Sequence, residues 1–210
     1  MPTHTTGMMI IISSPSGAGK TTIVKLLSKK FNYQISISHT TRKPRKVEIN
    51  RRDYFFINKS KFLKLVRENY FIEYANVFDN LYGTSKERTT NMLEKGENVL
   101  FDIDWQGAKQ IRKKKLRFKL ISFFILPPSK DELIKRLKKR EGNKDNIVKQ
   151  RMKNFKKDVL HWDEYDFVVI NKDKEKCFEQ INEKIKMYKD GKKKKQNKQL
   201  IINHIKNLIK

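Results

Sequence analysis

The stretch Ser14-Pro15-Ser16-Gly17-Ala18-Gly19-Lys20-Thr21-Thr22 matches the close of the phosphate loop G-x-x-x-x-G-K-[ST] and puts Ser14 at its first glycine position. Glycines let a backbone wrap a phosphate, a helix opening near Gly19 aims N–H groups at it, and Lys20 adds a cation. The Thr21 hydroxyl suits Mg2+. The plainer alternative is a structural glycine-rich turn. Asp102 and Asp104 form a second candidate cluster, because two residues apart on a strand they project to one side. At the carboxyl end of a parallel strand they would face a ligand crevice; capping the next helix is the alternative. A third cluster is Ser38-His39-Thr40-Thr41-Arg42-Lys43-Pro44-Arg45, with Glu48, Asp53, Tyr54, Glu73, Tyr82 and Thr84 downstream. Guanidiniums pair bidentately with phosphate, against the alternatives of a solvated basic turn and of core tyrosines.

These residues need elements to hold them. Met8–Ser13 is an apolar run closing on the glycine-rich turn, which predicts a buried parallel strand. Asn98–Ile103, Leu120–Leu126 and Phe167–Ile170 predict three more. Apolar residues at Ile23, Val24, Leu26, Leu27 and Phe31 have helical spacing. Ser129 with Glu132, after Pro127-Pro128, is a capping-box signature for a helix through Arg140. Further helices are predicted over Ile147–Leu160 and Lys174–Tyr188. Strands alternating with helices argue for an α/β fold with a parallel sheet covered on both faces. Residues 35–84 break the alternation and read as an inserted subdomain with a small mixed or antiparallel sheet. That leaves 1–34 and 85–188 as the core. Residues 140–151 are expected to be an exposed mobile loop, and 189–210 a lysine-rich, frayed tail ending in a weakly amphipathic segment.

The ordered set Ser-Gly-Ala-Gly-Lys-Thr (16–21), the Arg42/Arg45 motif, Phe71-Ile72-Glu73-Tyr74, Leu81-Tyr82-Gly83-Thr84 and Phe101-Asp102-Ile103-Asp104-Trp105-Gln106-Gly107 closely resembles guanylate kinase, from about Ile10 to Tyr188. The resemblance implies a P-loop NTPase-type fold and the reaction ATP + GMP ⇌ ADP + GDP with Mg2+. It implies that Ser14 to Thr22 bind ATP, with Asn171 by its adenine. It places Arg42, Arg45, Tyr54 and Tyr82 on the GMP phosphate, with Glu48 in the same site, and Ser38, Glu73, Thr84 and Asp104 on guanine. Thr21 and Asp102 would serve the metal. Lys20, Arg42, Arg136, Arg140 and Arg151 would surround the transferring phosphoryl group, the last two bracketing a lid. Three residues depart from the pattern: Ser14, Val47 where the family usually has glycine, and Thr84 where serine is common.

Composition narrows the remaining classes. Lone Cys177 forms no internal disulfide, so a disulfide-stapled secreted domain is excluded, and it reads as a core residue. The run Met8–Ile12 is too short for a membrane span or signal core, so a cytoplasmic protein without a membrane partner is expected. The formal net charge is +26, from 49 Lys+Arg against 23 Asp+Glu. Such a charge invites polyanions, but no RNA- or DNA-binding motif accompanies it. Of the basic residues 38 are Lys and 11 Arg, and the phosphate positions are mostly Arg, so the rest reads as solvated surface. His39 reads as structural, since in-line phosphoryl transfer needs no histidine base. A catalytically inactive protein-binding relative is the rival reading, and the intact Gly19-Lys20-Thr21 speaks against it.

Overall fold

Every residue of Met9–Ser13 is buried, as in a strand covered on both faces. It is β1 of a computed structural model that describes residues 6–142, 144–192 and 196–210. The elements then run α1 (Lys20–Phe31), β2 (Gln34–Ile35), β3 (His39–Thr40), β4 (Phe55–Phe56), α2 (Lys59–Arg67), β5 (Phe71–Val77), β6 (Asn80–Ser85), α3 (Lys86–Glu94) and β7 (Val99–Asp102). They continue with α4 (Trp105–Lys113), β8 (Leu120–Leu126), α5 (Lys130–Glu141), α6 (Asp145–Asp158), a 3-10 turn at Val159–Glu164, β9 (Phe167–Ile170), α7 (Lys174–Lys189) and α8 (Lys198–Ile209). Five strands form a parallel sheet in the order β2–β7–β1–β8–β9, and four form a mixed sheet in the order β4–β3–β6–β5. The α/β architecture with a second, mixed sheet is the one expected from the sequence.

The chain divides into two compact units, residues 1–10 with 33–120 and residues 11–32 with 121–210. This cut differs from an insert at 35–84. In the first unit Ile35 pairs with Leu100 of β7, so the stretch read as an insert begins in the large sheet. The mixed sheet starts at His39, which pairs in parallel with Phe55 and antiparallel with Gly83. Its core is aromatic: Phe62 and Phe71 stack at 4.7 Å, and the buried His39 ring stacks on Phe55 at 4.6 Å and meets Tyr70 and Phe71 edge-on. The edge strand β5 is capped by a side chain. Gln110 of α4 donates from Nε2 to the Tyr74 carbonyl (2.6 Å) and accepts from the Tyr74 N–H (3.1 Å), standing in for a missing strand.

The second unit repeats that device. Gln196 bonds both the N–H and the carbonyl of Val168 on edge strand β9, at 2.8 and 2.5 Å. It leads into α8, whose Ile201, Ile205 and Leu208 are buried and which packs on α5. His204 Nε2 lies 2.9 Å from the Pro127 carbonyl. The weakly amphipathic segment expected to follow the frayed lysine run is a packed helix, because its apolar residues recur every three to four positions and find a partner face. The expected lid contracts as well. Gly142, at φ 64, ends α5 with its N–H on the Lys138 carbonyl, and α6 resumes at Asp145, so helix covers most of the stretch read as loop. Asn143 in that lid and Lys193 to Lys195 in the tail lie outside the described residues. Half of the capping box forms: Ser129 Oγ accepts from Glu132 N at 3.1 Å, but the Glu132 carboxylate turns to Arg136 Nε at 2.8 Å. Among the described residues no helix is long and apolar enough to cross a membrane.

Candidate functional site

In the second unit the phosphate loop runs from the end of β1 into α1. Gly19 caps α1 without a side chain, so the leading N–H groups of the helix are not taken by a capping residue. Positive φ occurs in this loop only at Gly17 (92°) and Gly19 (98°). Ser14 therefore carries no backbone strain, and its hydroxyl donates to the Pro15 carbonyl at 2.9 Å. Gly19 is required twice over, by its φ and because a Cβ there would stand 2.3 Å from Asn171 Nδ2. Lys20 and Thr21 open the first turn of α1, the former half-buried and the latter exposed like Thr22.

Two residues hold this loop from behind. Asn171, 5% exposed, donates from Nδ2 to the Ala18 carbonyl at 2.8 Å. Arg136 reaches the same carbonyl and that of Asn171, each at 3.5 Å. Around Ser16 the arrangement is tighter. Arg140 Nη2 and Arg151 Nη1 both donate to Ser16 Oγ, at 2.6 and 2.8 Å. The same two guanidiniums share Glu141 Oε1, at 2.9 Å from Arg140 Nε and 3.1 Å from Arg151 Nη2. The sequence marked both arginines but gave Glu141 no role; its only local signal was a carboxylate beside Arg140 at a helix end.

The first unit gathers the other candidates into two groups. In one, Arg42 donates from Nε to Tyr82 OH (3.2 Å) and from Nη2 to Glu48 Oε1 (2.8 Å). Arg45 bonds Glu48 through its backbone N–H (2.8 Å) and through Nη1 (3.2 Å). The Arg42 guanidinium lies 5.4 Å from the centre of the Tyr54 ring, and Tyr54 meets Tyr82 edge-on. Burial alone would weaken the charge on both partners. The Glu48 bond outweighs it to raise the Arg42 pKa, and the bonds from Arg42 and Arg45 bring the Glu48 carboxyl below its usual range. Burial, with Asp102 nearby, pushes the Tyr54 hydroxyl well up, so it stays a neutral donor. Val47 has no positive φ and is 81% exposed, so a side chain replaces glycine there without strain or clash.

The other group is a buried polar chain. Thr84 donates to Glu73 Oε1 at 2.6 Å, and the Ser38 and Thr84 hydroxyls lie 3.3 Å apart. These three residues are 1 to 6% exposed. Asp104 is the N-cap of α4: Oδ1 accepts from Gly107 N (3.0 Å) and Oδ2 from Gln106 Nε2 (2.9 Å). The capping alternative thus holds for Asp104, while Asp102 ends β7 without that task.

The family model for guanylate kinase matches residues 6–188. The guanylate kinase of Bradyrhizobium diazoefficiens is 44% identical over 181 residues, 86% of this chain and 82% of that protein. That of Buchnera aphidicola subsp. Schizaphis graminum is 46% identical over 178 residues, covering 83% and 85%. The crystal structure of guanylate kinase from Anaplasma phagocytophilum superposes with a TM-score of 0.70 at 32% identity, covering 88% of this chain and 87% of that one.

Proposed function

Because this chain belongs to the guanylate kinase family, we propose that it transfers the γ-phosphoryl group of ATP in line to GMP or dGMP, giving ADP with GDP or dGDP, with Mg2+, in cytoplasmic purine nucleotide metabolism. The observation that carries the acceptor assignment is Glu73, a carboxylate 3% exposed whose partner is a hydroxyl. Guanine presents N1–H and N2–H2 donors beside an O6 acceptor, so a carboxylate suits its donor edge and a hydroxyl of Ser38 or Thr84 its O6. Adenine lacks both donors and would set its own N1 acceptor against the Glu73 carboxylate, a mismatch of the kind that lets such sites discriminate by ~10⁴-fold. Asp104 would read the same base from the α4 N-cap.

Arg42, Arg45, Tyr54 and Tyr82 would hold the acceptor phosphate, with Glu48 fixing the two arginines. Ser14 to Thr22 would wrap the donor phosphates, and Asn171, which ties down Ala18, would border the adenine. The phosphate of GMP attacks the γ-phosphorus directly, so no covalent enzyme intermediate forms. This chain's task is to align the reactants and to meet the charge spread over the equatorial oxygens with Lys20, Arg136, Arg140 and Arg151.

Mg2+ fits the residues present. A threonine hydroxyl and a carboxylate are hard oxygen donors, and among the described residues no cluster of three or more His, Cys, Asp or Glu forms a dedicated metal cage. That pattern suits an ion that keeps its waters and binds substrate phosphates. Thr21 and Asp102 would hold it, and when bound it neutralises phosphate charge.

A coupled assay with GMP, dGMP, AMP and UMP, run beside an RNA titration, tests the reading. Turnover is expected only with the guanine monophosphates. Lys20→Ala is expected to lower turnover by about 100-fold or more with GMP affinity largely kept. Wild-type rates in that variant, or salt-sensitive RNA binding without turnover, would overturn the assignment.

A further inference from the structure

Arg140 and Arg151 form a closed ring with two bridging oxygens, Ser16 Oγ on one side and Glu141 Oε1 on the other. Each guanidinium therefore meets both oxygens, through two different nitrogens. Arg140 uses Nη2 toward the phosphate loop and Nε toward Glu141; Arg151 uses Nη1 and Nη2 in the same way. The two bridges differ in kind. Ser16 Oγ is neutral, a weak acceptor for two charged donors, and it belongs to the loop that would wrap the donor phosphates. Glu141 carries a charge, is bonded at 2.9 and 3.1 Å, and like Arg151 has a side chain only 14% exposed, where charge-assisted bonds are stronger than at an open surface. Without the shared carboxylate, two like charges would converge on one hydroxyl and repel.

We propose that Glu141 is a positioning residue: it holds Arg140 through Nε and Arg151 through Nη2, so that the neighbouring N–H groups resting on Ser16 pass to the donor phosphate without the guanidiniums reorienting. Glu141 touches no reactant and acts through Arg140 and Arg151. The inference rests on the reading of those arginines as phosphoryl-binding groups given under Proposed function.

The test is a double-mutant cycle on kcat with saturating GMP, normalised to the folded fraction from a melting curve. Glu141→Gln keeps the shape and removes the charge; its kcat is expected to fall by about 10-fold, with GMP KM unchanged. Glu141→Asp, one methylene shorter, should fall in between. In a background of Arg151→Lys, which has no planar fork to orient, Glu141→Gln should cost little more, because the two act as one unit. Losses that multiply independently would make Glu141 merely structural, and a raised kcat or lowered ATP KM in Glu141→Gln would make it an internal competitor of phosphate. Either result overturns the proposal. A wild-type enzyme without GMP-dependent turnover would instead sink the functional reading beneath it.

Discussion

Glu73 and Glu48 are both carboxylates of the first unit, yet their surroundings give them opposite tasks. Glu73 is buried against the Thr84 hydroxyl, the setting of the proposed guanine contact, whereas Glu48 is taken up by Arg42 and Arg45. Replacing Glu73 by Ala should raise the GMP KM by about 10- to 100-fold, the worth of hydrogen bonds to a buried charge, and let AMP compete; steady-state kinetics with both nucleotides would detect it. His39 gives a pH prediction. Burial first, then the Lys61 and Arg88 charges, lower its pKa from 6.5 to about 4. The unfolded chain then binds a proton at a higher pH than the folded one. Its contribution to stability is complete above pH 6.5 and is lost as pH falls toward about 4. Glu48, also lowered, adds a loss only nearer its ordinary value of 4.5. Denaturant unfolding of His39→Gln should therefore show a flatter stability profile between pH 6.5 and 4.5 than wild type. An unchanged slope would remove His39 as the source.

Local rules account for most of the elements. β8 and β9 run over the residues expected from their apolar patterns, α1 contains the apolar residues expected of it, and α7 extends one residue past its expected end. The β5–β6 hairpin was not legible, because its turn uses Phe78 and Asp79 at φ 50° and 61°, and phenylalanine is no signal for a left-handed turn. Nor was the joint use of Gln110 and Gln196 as caps for β5 and β9, since a glutamine on a sequence says nothing of which edge it will meet. The packing of α8 was not legible for a related reason: its amphipathic pattern is weak beside the lysine run, and Ile201, Ile205 and Leu208 need a partner helix to matter. Truncation after Lys192 would remove those three residues, each worth about 1.5–3 kcal/mol when buried, bare the face of α5 that they cover, and leave β9 uncapped. A fall in Tm of at least about 5 °C is expected by differential scanning calorimetry; an unchanged Tm would show that α8 is dispensable.

At the scale of the whole molecule, the +26 charge divides into a few engaged groups and a large solvated remainder. In each unit two arginines meet at a shared carboxylate, Arg42 and Arg45 on Glu48, Arg140 and Arg151 on Glu141. Exposed lysines such as Lys176 and Lys186 take no part in either site. Changing both to Gln should leave kcat and GMP KM within about twofold, as surface changes usually do; a larger fall would assign them a steering role. The sequence alone determined the phosphate-loop motif and the alternating α/β plan, and it marked the candidate phosphate and base residues, because these depend on residue type at short spacing. Only the tertiary structure decided that Asp104 caps a helix, that Asn171 and Arg136 hold the loop from behind, and that Glu141 joins Arg140 and Arg151. Those roles depend on partners distant along the chain or on which side-chain edge is already occupied, and neither is written in local spacing.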